Sequence, residues 1–411
     1  MCRRRRWQER LTGSLQTARP GEGDVLPTYP FALPTPTDPP TRLTSLDGPV
    51  CPVTTPWGGD AYLVTGYAEA RKVLSDPAFS LGQVHSAMAP AVEGGQCPSS
   101  QNVPNIDPPG HTMLRGLVSS VFSPRRMEHW RVTVAARVDG LLDELRQPAE
   151  LVSCVGEPLP LAVICETMGL PPQVHADFRG WAEAIVMDDD TRDERWLNAW
   201  TGLVTCLRQL IAERRRDPRD DILSELVALF DQQEDLSELG LLTLCVQLLV
   251  DGYKVTSNQL CVLLVSLLQD VETYQALVSG PDLVPAAVEE LLRLHPHAEP
   301  LLRATTRQVD LGGSLLPAGT LVLVDKFAVN RDGRRFADAD RLRIDRAGNN
   351  HLVFGHGPHR CLGAALARIE LQTVVTGLVR RFPHLRLAPE ADAVRWSGRL
   401  IGGIQEINAT W

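Results

Sequence analysis

The segment 354–363, with the sequence FGHGPHRCLG, surrounds a single cysteine with the features of a metal-ligating sulfur. Gly355 and Gly357 allow the backbone to fold into a tight loop. A helix is predicted to begin directly after Cys361, so free backbone N–H groups and the helix dipole favour a thiolate there over a thiol. Gly363 has no side chain, which leaves room for a flat cofactor against that helix. A thiolate presented in this way suits the axial ligand of a haem iron.

Two other interpretations of this cysteine stay open on the residues alone. Together with Cys361, the three histidines within 351–359 resemble a zinc ligand set, although their spacing fits no usual zinc pattern and leaves the glycines unexplained. Alternatively, Cys361 is a buried structural thiol, as single cysteines usually are. A structural thiol does not require a loop framed by glycines, so the pattern favours the metal ligand.

The same segment resembles the cysteine loop of the cytochromes P450, the haem-thiolate enzymes. It fills every position of the family pattern Phe-Gly-x-Gly-x-His-x-Cys-x-Gly, and the similarity to the soluble bacterial type runs from about residue 28 to Trp411. The resemblance implies a mainly α fold with a minor β region, in which haem b lies between a long central helix and the helix after the cysteine loop. It implies that Cys361 ligates the iron, and it places these residues around the cofactor: Phe354, Gly355, His359 and Gly363.

The segment 107–115, DPPGHTMLR, matches the part of the family that opens the helix beside the haem. His111 and Arg115 are four residues apart and therefore share one face of that helix. Haem carries two propionates, which need cationic or N–H donors. The alternative is a set of unrelated surface residues. The resemblance implies four propionate donors: His111, Arg115, Arg303 and His359.

Glu290 and Arg293 lie three residues apart on one predicted helix and share a face. Taken alone, such a pair is usually a surface ion pair worth ~0.5 kcal/mol or less. In the family, Glu-x-x-Arg is a buried pair completed by an arginine from a later loop, and Arg341 stands at that position. The role implied is structural, because the three residues hold the fold that shapes the cysteine loop. Ala337 and Ala339 stand where the family usually has prolines.

The predicted central helix departs from the family where proton transfer is expected. The family pattern is Ala-Gly-x-Glu/Asp-Thr-Thr, whereas residues 251–256 read DGYKVT. Gly252 is kept, and by resemblance it allows dioxygen to approach the backbone. A carboxylate and an alcohol, with water, form the usual relay that delivers protons. Lys254 reverses the charge at the acidic position and Val255 has no hydroxyl, so the ordinary relay is absent.

Several explanations of this departure stay open. Asp251 lies about one turn before Val255 on the same face and could take over as the acid. The substrate could instead supply the missing hydroxyl or water, or the enzyme could perform another reaction without oxygen insertion. Lys254 could also point into solvent without consequence, or form a structural ion pair with Asp251. Thr256 keeps the second threonine of the family and is, with Asp251, our candidate for proton handling.

Hydrophobic periodicity and the positions of proline and glycine predict the elements that carry these residues. The central helix at 236–269 is apolar on nearly all sides, as in a helix buried inside a protein. A tail at 1–27 is predicted to be disordered, and 28–411 to form one domain. A long mobile loop is predicted at 82–106. Other helices are predicted at 68–74, 110–146, 157–169, 172–187, 195–215, 219–231, 283–295 and 363–382, and strands at 62–65 and within 301–326.

By resemblance, the substrate pocket is lined by the loop at 82–103, the helix at 172–187, the central helix and the turn after residue 296. Its side chains are mainly apolar, which favours a hydrophobic substrate or a hydrophobic part of one. His297 and Glu299 could orient an amine or a hydroxyl group, or they are turn residues that face solvent, which we expect slightly more. The apolar candidates are Leu248, Val255, Leu301, Leu302 and Ile401.

Composition excludes several classes of protein. The chain has 411 residues and a net charge of −9, which argues against a general nucleic-acid binder. Its nine cysteines are scattered without a CxxC pair, so a disulfide framework and a zinc ribbon are not expected. The longest apolar run, 239–250, is shorter than a membrane span. We therefore expect a soluble cytoplasmic protein that binds neither nucleic acid nor membrane.

The sequence contains no flavin or nicotinamide fingerprint and no cysteine cluster for an iron–sulfur centre. Electrons must then come from partners, and we expect a small acidic ferredoxin with its reductase to meet Arg360 and the arginine-rich stretch 125–131. The expected function is oxidation of a hydrophobic metabolite in specialised metabolism, by hydroxylation or oxidative coupling. The rivals are aryl coupling, desaturation or isomerisation without oxygen insertion, and a non-catalytic helper of a glycosyltransferase, against which the complete cysteine loop argues.

Overall fold

The structure is a computed structural model that describes residues 26–55, 59–84, 106–186, 193–234, 236–297, 299–389, 392–397 and 403–411. The chain forms two compact units, each made of two stretches. Unit 1 comprises residues 1–113 and 292–361, and unit 2 comprises residues 114–291 and 362–411. The tail predicted at 1–27 and the loop predicted at 82–106 fall almost entirely outside the described residues. One domain over 28–411 stays a prediction.

The described elements are numbered here in chain order. The α-helices are α1 (Tyr67–Ser75), α2 (Gly110–Ser119), α3 (Pro124–His129), α4 (Arg131–Glu144), α5 (Pro158–Thr167), α6 (His175–Val186), α7 (Glu194–Arg216), α8 (Ile222–Asp231), α9 (Glu238–Gln269), α10 (Val271–Ser279), α11 (Val284–Leu294), α12 (Lys326–Val329) and α13 (Ala364–Arg381). The strands are β1 (Val50–Thr54), β2 (Asp60–Val64), β3 (Phe79–Ser80), β4 (Ala149–Glu150), β5 (Leu301–Thr305), β6 (Val309–Leu311), β7 (Ser314–Leu316), β8 (Leu321–Val324), β9 (Arg386–Leu387), β10 (Val394–Trp396) and β11 (Ile404–Thr410).

Unit 1 is built around a five-stranded mixed sheet in the order β1-β2-β8-β5-β3. The central strand β8 pairs in parallel with β2 and antiparallel with β5. All four residues of β8 are buried, as expected for a strand covered on both faces. In the register of β5 and β8, Leu301 pairs with Val324 and Arg303 with Val322. The residues that follow β8 therefore lie beside the start of β5.

Unit 2 is mainly helical, and α9 lies in its core. This helix has 32 residues and packs against α5, α6, α7 and α8. Its bounds confirm the helix predicted at 236–269. By length and composition α9 is apolar enough to span a membrane, but 56% of its most apolar window is buried inside the protein. That burial is typical of the core helix of a globular protein.

The segment predicted to be helical at 110–146 is not one continuous helix, because the structure has three helices there, α2, α3 and α4. The chain turns at Ser123, whose side chain caps α3 by accepting a hydrogen bond from the N–H of Arg126. Pro124 follows as the first residue of α3, a position that suits its fixed φ and its missing N–H. The hydrophobic period continues across this break, so it conceals the break in the sequence.

Glu370 is a carboxyl group sealed inside unit 2. It lies on α13, is 3% exposed, and its Oε2 makes no hydrogen bond to any described residue. Burial raises the pKa of Glu370 well above its usual value, because the charged form loses its hydration. The folded protein therefore keeps this group protonated at a pH where the unfolded chain has already released the proton.

We expect Glu370→Gln to flatten the pH dependence of unfolding. A raised folded-state pKa means that wild-type stability is full below the unfolded pKa near ~4.3 and falls as the pH rises toward the folded value. The neutral amide has no proton to release, so the variant should gain stability relative to wild type as the pH rises from about 4 to about 8. Melting temperatures of both proteins across this range provide the measurement, and parallel curves would contradict the burial of a neutral carboxyl.

Candidate active site

The cysteine loop of unit 1 has the tight backbone that its glycines predict. Gly355 and Gly357 have φ values of +72° and +71°, in the region that L side chains rarely adopt. A Cβ at Gly357 would lie only 2.4 Å from the carbonyl oxygen of Leu74. The loop is closed by the N–H of Cys361, which donates to the carbonyl of Phe354 at 2.8 Å. These constraints fix the backbone that presents the sulfur.

Cys361 differs from the other described cysteines in its exposure. It is exposed, whereas the others are buried (Cys51, Cys165, Cys245 and Cys261) or partly buried (Cys154 and Cys206). Gly363, two residues later, immediately precedes α13 as its N-cap. A Cβ added there would meet no atom within 4 Å, so open space lies beside this glycine. An exposed thiol and an open backbone surface suit a flat ligand better than they suit a packed structural cysteine.

Cationic and imidazole groups of unit 1 are buried in positions that suit carboxylates. His111 is 2% exposed, and its ring centroid lies 4.0 Å from that of His359. Arg303 is 5% exposed, and burial lowers its pKa to about 10, an effect that the charge of Asp107 opposes. Buried guanidinium groups require nearby anions or acceptors. Arg115 lies one turn after His111 on α2, is half-buried, and belongs to unit 2.

These residues fit the haem that the sequence implies. Cys361 would hold the iron, and Arg303, His111 and His359 would hold the propionate carboxylates, while the glycines leave space for the ring. The fit rests on the exposed thiol, the open space at Gly363 and the buried cation, and the individual residue roles remain predictions. No group of three or more His, Cys, Asp or Glu side chains within the described ranges could hold a zinc ion.

The structural group around Arg293 organises the loop before the cysteine. Glu290 and Arg293 are both fully buried on α11. The guanidinium of Arg293 donates to the carbonyls of Asn330, Ala339 and Arg341 at 2.8, 2.6 and 3.2 Å. The expectation that the side chain of Arg341 completes this group needs correction, because that side chain is exposed and Arg341 contributes its carbonyl.

Arg346, which the sequence did not single out, supplies a second guanidinium to the same loop. It donates to the carbonyls of Ala337, Asp338 and Arg341 at 2.5, 3.1 and 3.2 Å. Two arginines therefore converge on the carbonyl of Arg341. The carbonyl groups of this irregular segment accept hydrogen bonds from two rigid guanidinium groups. These hydrogen bonds explain how the segment keeps its shape.

The central helix of unit 2 has one stripe of incompletely buried residues. Between residues 240 and 268, all positions outside this stripe are buried. Asp251 is exposed, and Leu248 and Val255 are half-buried, at the i, i+3 and i+7 spacing of a single helix face. The remaining partly buried residues of the stripe are Gln247, Gly252, Lys254 and Thr256. The stripe coincides with the segment at which the sequence departs from the family pattern.

Lys254 does not point into solvent, so that explanation of the departure was wrong. Its side chain is 14% exposed, and its ammonium lies 3.6 Å from Oε1 of Glu157 and 4.8 Å from the ring centroid of Tyr253. Glu157 immediately precedes α5 and also accepts a hydrogen bond from Arg179 of α6 at 2.7 Å. The positive charge on α9 is thus balanced by a carboxylate from a neighbouring element, and three helices are connected at this point.

Gly252 has a packing role within unit 2. A Cβ at this position would lie 2.7 Å from Cδ1 and 2.8 Å from Cγ1 of Ile164 on α5. The missing side chain lets α9 and α5 approach closely. Access of dioxygen to the backbone at Gly252 stays a prediction.

We expect Gly252→Ala to destabilise the protein by about 1–3 kcal/mol, because the added methyl group must displace Ile164. The double variant Gly252→Ala/Ile164→Val should recover part of that loss by removing a methyl group from the clash. Chemical denaturation of the three proteins measures the effect. Equal stability of Gly252→Ala and wild type would show that α5 yields freely at this contact.

The candidate polar handles of the pocket form a pair in unit 1. Nε2 of His297 lies 3.4 Å from Oε2 of Glu299, and His297 is 4% exposed, so the expectation that it faces solvent was wrong. Burial lowers the pKa of His297, and the hydrogen bond from His297 lowers the pKa of Glu299. Leu301 is half-buried near Gly355. Ile401 and most of the predicted pocket loop lie outside the described residues.

The sequence interpretation did not single out two charged residues that the fold encloses fully or in part, Glu157 and Lys326. Glu157 precedes a proline in an unremarked turn, and only the fold brings it to Lys254. Lys326 is buried at the start of α12. One signal was available, because the chain has only three lysines, Lys72, Lys254 and Lys326, and rare residue types merit attention.

Comparisons with known proteins found a family model and several relatives that are similar to this chain. The family model described as Cytochrome P450 matches residues 282–394. Mycinamicin IV hydroxylase/epoxidase from Micromonospora griseorubida is 38% identical over 88% of this chain and 92% of its own length. Nocardicin C N-oxygenase from Nocardia uniformis subsp. tsuyamanensis is 37% identical over 93% of this chain and 98% of its own length. The crystal structure of SgvP, a putative thioether synthase involved in a tailoring step of griseoviridin, superposes with a TM-score of 0.85 at 38% identity, covering 94% of this chain and all of that one.

Proposed function

The chain belongs to the cytochrome P450 family, and from that premise we propose that it inserts an oxygen atom of dioxygen into a hydrophobic secondary metabolite. As a member of this class it is an oxidoreductase with haem whose iron a cysteine thiolate ligates. The observation that supports this reaction best is the exposed sulfur of Cys361 on its glycine-framed loop. Haem, when bound there, supplies the activation of dioxygen.

The residues of unit 1 bind and orient the cofactor in this proposal. Cys361 provides the thiolate, and the closed loop keeps its sulfur in place through the hydrogen bond to Phe354. Arg303, His111 and His359 take the propionates. The buried Arg293 and the half-buried Arg346 keep the supporting loop rigid through its carbonyl oxygens. None of these supporting residues exchanges a proton during turnover.

The stripe on α9 handles protons. Asp251 is exposed on that stripe and can exchange protons at its carboxylate, while the hydroxyl of Thr256 holds water. Lys254 lies 3.6 Å from Glu157, so its positive charge is compensated. Val255 contributes apolar surface. In this arrangement the carboxylate of the relay, Asp251, lies about one helical turn before Lys254, which occupies the acidic position of the family pattern.

Redox partners and a small-molecule substrate follow from the family, and a ferredoxin with its reductase is our proposal for the partners. Arg360, next to the ligand, and Arg71 are exposed, and Nε of Arg71 lies 3.3 Å from Nε2 of His356 in the same loop. These positive groups suit an acidic electron donor. We propose a soluble cytoplasmic enzyme for the same reason, because such partners work in solution.

Relatives guide the choice of substrate class. Two relatives with comparable identity bear the names of a hydroxylase/epoxidase and an N-oxygenase, both of which insert oxygen. Their names refer to mycinamicin and nocardicin, so we propose an antibiotic-like metabolite for this chain. The leucines of the predicted pocket, Leu248 and Leu301, are half-buried and suit its apolar part.

Reconstitution tests this proposal. Purified protein, a surrogate ferredoxin, its reductase and NADPH are incubated with a host metabolite extract, with and without dioxygen, and followed by mass spectrometry. We expect a new product that requires both reductant and dioxygen. A product that forms without either would identify an isomerase or dehydratase and reject the proposal. A parallel incubation in which hydrogen peroxide replaces the ferredoxin, the reductase and NADPH separates failure of the redox partner from failure of the enzyme.

Oxidative coupling without oxygen insertion is the second candidate. Val255 and the Lys254–Glu157 pair favour it, because neither reproduces the acid–alcohol relay at its family position. The putative thioether synthase SgvP has the same overall fold, and the reaction in its name forms a carbon–sulfur bond. In the reconstitution, this candidate gives a reductant-dependent product that has lost hydrogen and gained no oxygen.

A further inference from the structure

Glu299 and His297 form a polar pair that the proposed function does not use. Nε2 of His297 lies 3.4 Å from Oε2 of Glu299. The side chain of His297 is 4% exposed, whereas that of Glu299 is 51% exposed. The pair therefore keeps its imidazole inside unit 1 and presents its carboxylate outward.

The backbone places Glu299 in line with two residues of β5. Pro300 follows Glu299, and a proline ring biases the preceding residue toward extended conformations. Leu301 and Arg303 belong to β5, in which alternate side chains point to the same face. An extended backbone before the strand continues this alternation, so the side chains of residues 299, 301 and 303 lie on one side of the chain.

This side of the chain faces the cysteine loop. Cδ1 of Leu301 lies 3.9 Å from the Cβ position of Gly355. Exposure rises along the row, from the buried Arg303 through the half-buried Leu301 to the open Glu299. Because a strand rises about 3.3 Å per residue, the Cα atom of Glu299 lies roughly 13 Å from that of Arg303. The carboxylate thus stands at the open end of a row whose other end carries the cation assigned to the propionates.

The carboxylate of Glu299 is ionised at neutral pH. The hydrogen bond from His297 lowers its pKa, and the charge of Lys326 acts in the same direction. Both of these partners are buried, and the 51% exposure of Glu299 leaves the open side of the carboxylate uncovered by them. A neutral molecule that covers an ionised carboxylate removes its hydration without compensating the charge. A ligand that covers Glu299 must therefore bring a cation.

We propose that Glu299 binds a protonated or quaternary amine of the substrate, so that the substrate class is a hydrophobic metabolite with a basic amine. The inference rests on the proposed function, because it takes the metabolite to be oxidised as the ligand. Leu301 suits the apolar part of that metabolite next to the amine. His297 is a positioning residue that holds the carboxylate. Like-charge repulsion excludes a carboxylate of the substrate from this position.

Equilibrium binding of three probes to the holoenzyme tests this assignment without turnover. Decyltrimethylammonium, decanol and decanoate share a chain of ten carbon atoms and differ in the charge of the head group, and a quaternary ammonium cannot coordinate iron. Isothermal titration calorimetry gives the dissociation constant of each probe for wild type, Glu299→Gln and Glu299→Lys. Glu144→Gln, at an exposed glutamate of α4, is the matched control.

We expect wild type to bind decyltrimethylammonium about tenfold more tightly than decanol, because the ligand compensates a carboxylate that it covers. Glu299→Gln should lose this preference and keep its affinity for decanol, since the amide retains an oxygen for the contact with His297. Glu299→Lys should prefer decanoate to the ammonium probe, a reversal that a folding defect does not produce. Glu144→Gln should bind all three probes as wild type does.

The proposal would be overturned by wild type that binds the ammonium probe no more tightly than decanol, or by Glu299→Gln that keeps the preference. An equal loss of affinity for all three probes in Glu299→Gln would also overturn it, and would make Glu299 a structural counter-ion of the buried Lys326. Failure of the proposed function has a different signature. The charge preference would then follow Glu299 as expected, while the reconstituted enzyme formed no product that requires dioxygen.

Discussion

Replacement of Cys361 by alanine is expected to abolish turnover and the reduced carbon monoxide difference band of a thiolate-ligated haem. Cys361 is the exposed cysteine of the described chain, on a loop whose glycine backbone leaves the sulfur little freedom. Alanine removes the sulfur but keeps the backbone hydrogen bond from residue 361 to Phe354, so the loop should persist. The measurements are the difference spectrum of the purified variant and product formation with ferredoxin, both of which should fall below detection.

Cys154→Ala provides the control for this experiment. Cys154 is partly buried in the π-helical turn Val152–Gly156 of unit 2, and its replacement should leave the band at full intensity. A band of normal position and intensity in Cys361→Ala would show that another residue ligates the iron. The glycine-framed loop would then have a purely structural explanation.

The double change Lys254→Glu/Val255→Thr, which restores the family residues at both positions, is expected to impair the protein as long as Glu157 is present. The new carboxylate would stand where an ammonium now lies 3.6 Å from Oε1 of Glu157, in a region of low exposure. Loss of the attraction and gain of a repulsion should together cost about 2–4 kcal/mol of stability.

A third change should reverse the penalty. Glu157→Gln, added to the double variant, removes the repulsion between the two carboxylates and keeps an amide oxygen that can accept the hydrogen bond from Arg179 of α6. We expect the triple variant to regain stability in urea denaturation and to form more product per NADPH than wild type if the relay was merely displaced. Val255→Thr alone is the control that leaves the charges unchanged. Equal stability of the double variant and wild type would show that the Lys254–Glu157 contact carries no energy.

Much of the fold could be predicted because its signals are local. The apolar sequence of 236–269 predicted a buried core helix, and α9 occupies Glu238–Gln269 with burial on nearly all sides. The run of residues at 62–65 predicted a strand, which is β2, and the segment 68–74 predicted a short helix, which is α1. The break between α2 and α4 was missed, because one capping serine and one proline interrupt a hydrophobic period that otherwise continues.

The cysteine loop could likewise be recognised from adjacent residues, whereas contacts made through the fold could not. Glu157 and Lys254 are almost one hundred residues apart, and each is unremarkable in its local sequence. Arg341 was chosen by its position in a motif, but it contributes its carbonyl oxygen and not its side chain. The second guanidinium at this loop comes from Arg346. Lys326 is buried at the first residue of α12, two residues after a strand whose pairing the sequence does not specify. Charge partners across elements depend on register, which periodicity leaves undetermined.

Turnover under heavy-isotope dioxygen tests the central claim most directly. Holoenzyme, ferredoxin, reductase, NADPH and the metabolite extract are incubated under labelled gas, with labelled water under ordinary gas as the reciprocal experiment. The account predicts one heavy oxygen atom in the product from the gas and none from the water. A reductant-dependent product that has lost hydrogen and carries no label would contradict oxygen insertion and would identify Val255 and the Lys254–Glu157 pair as parts of a coupling enzyme.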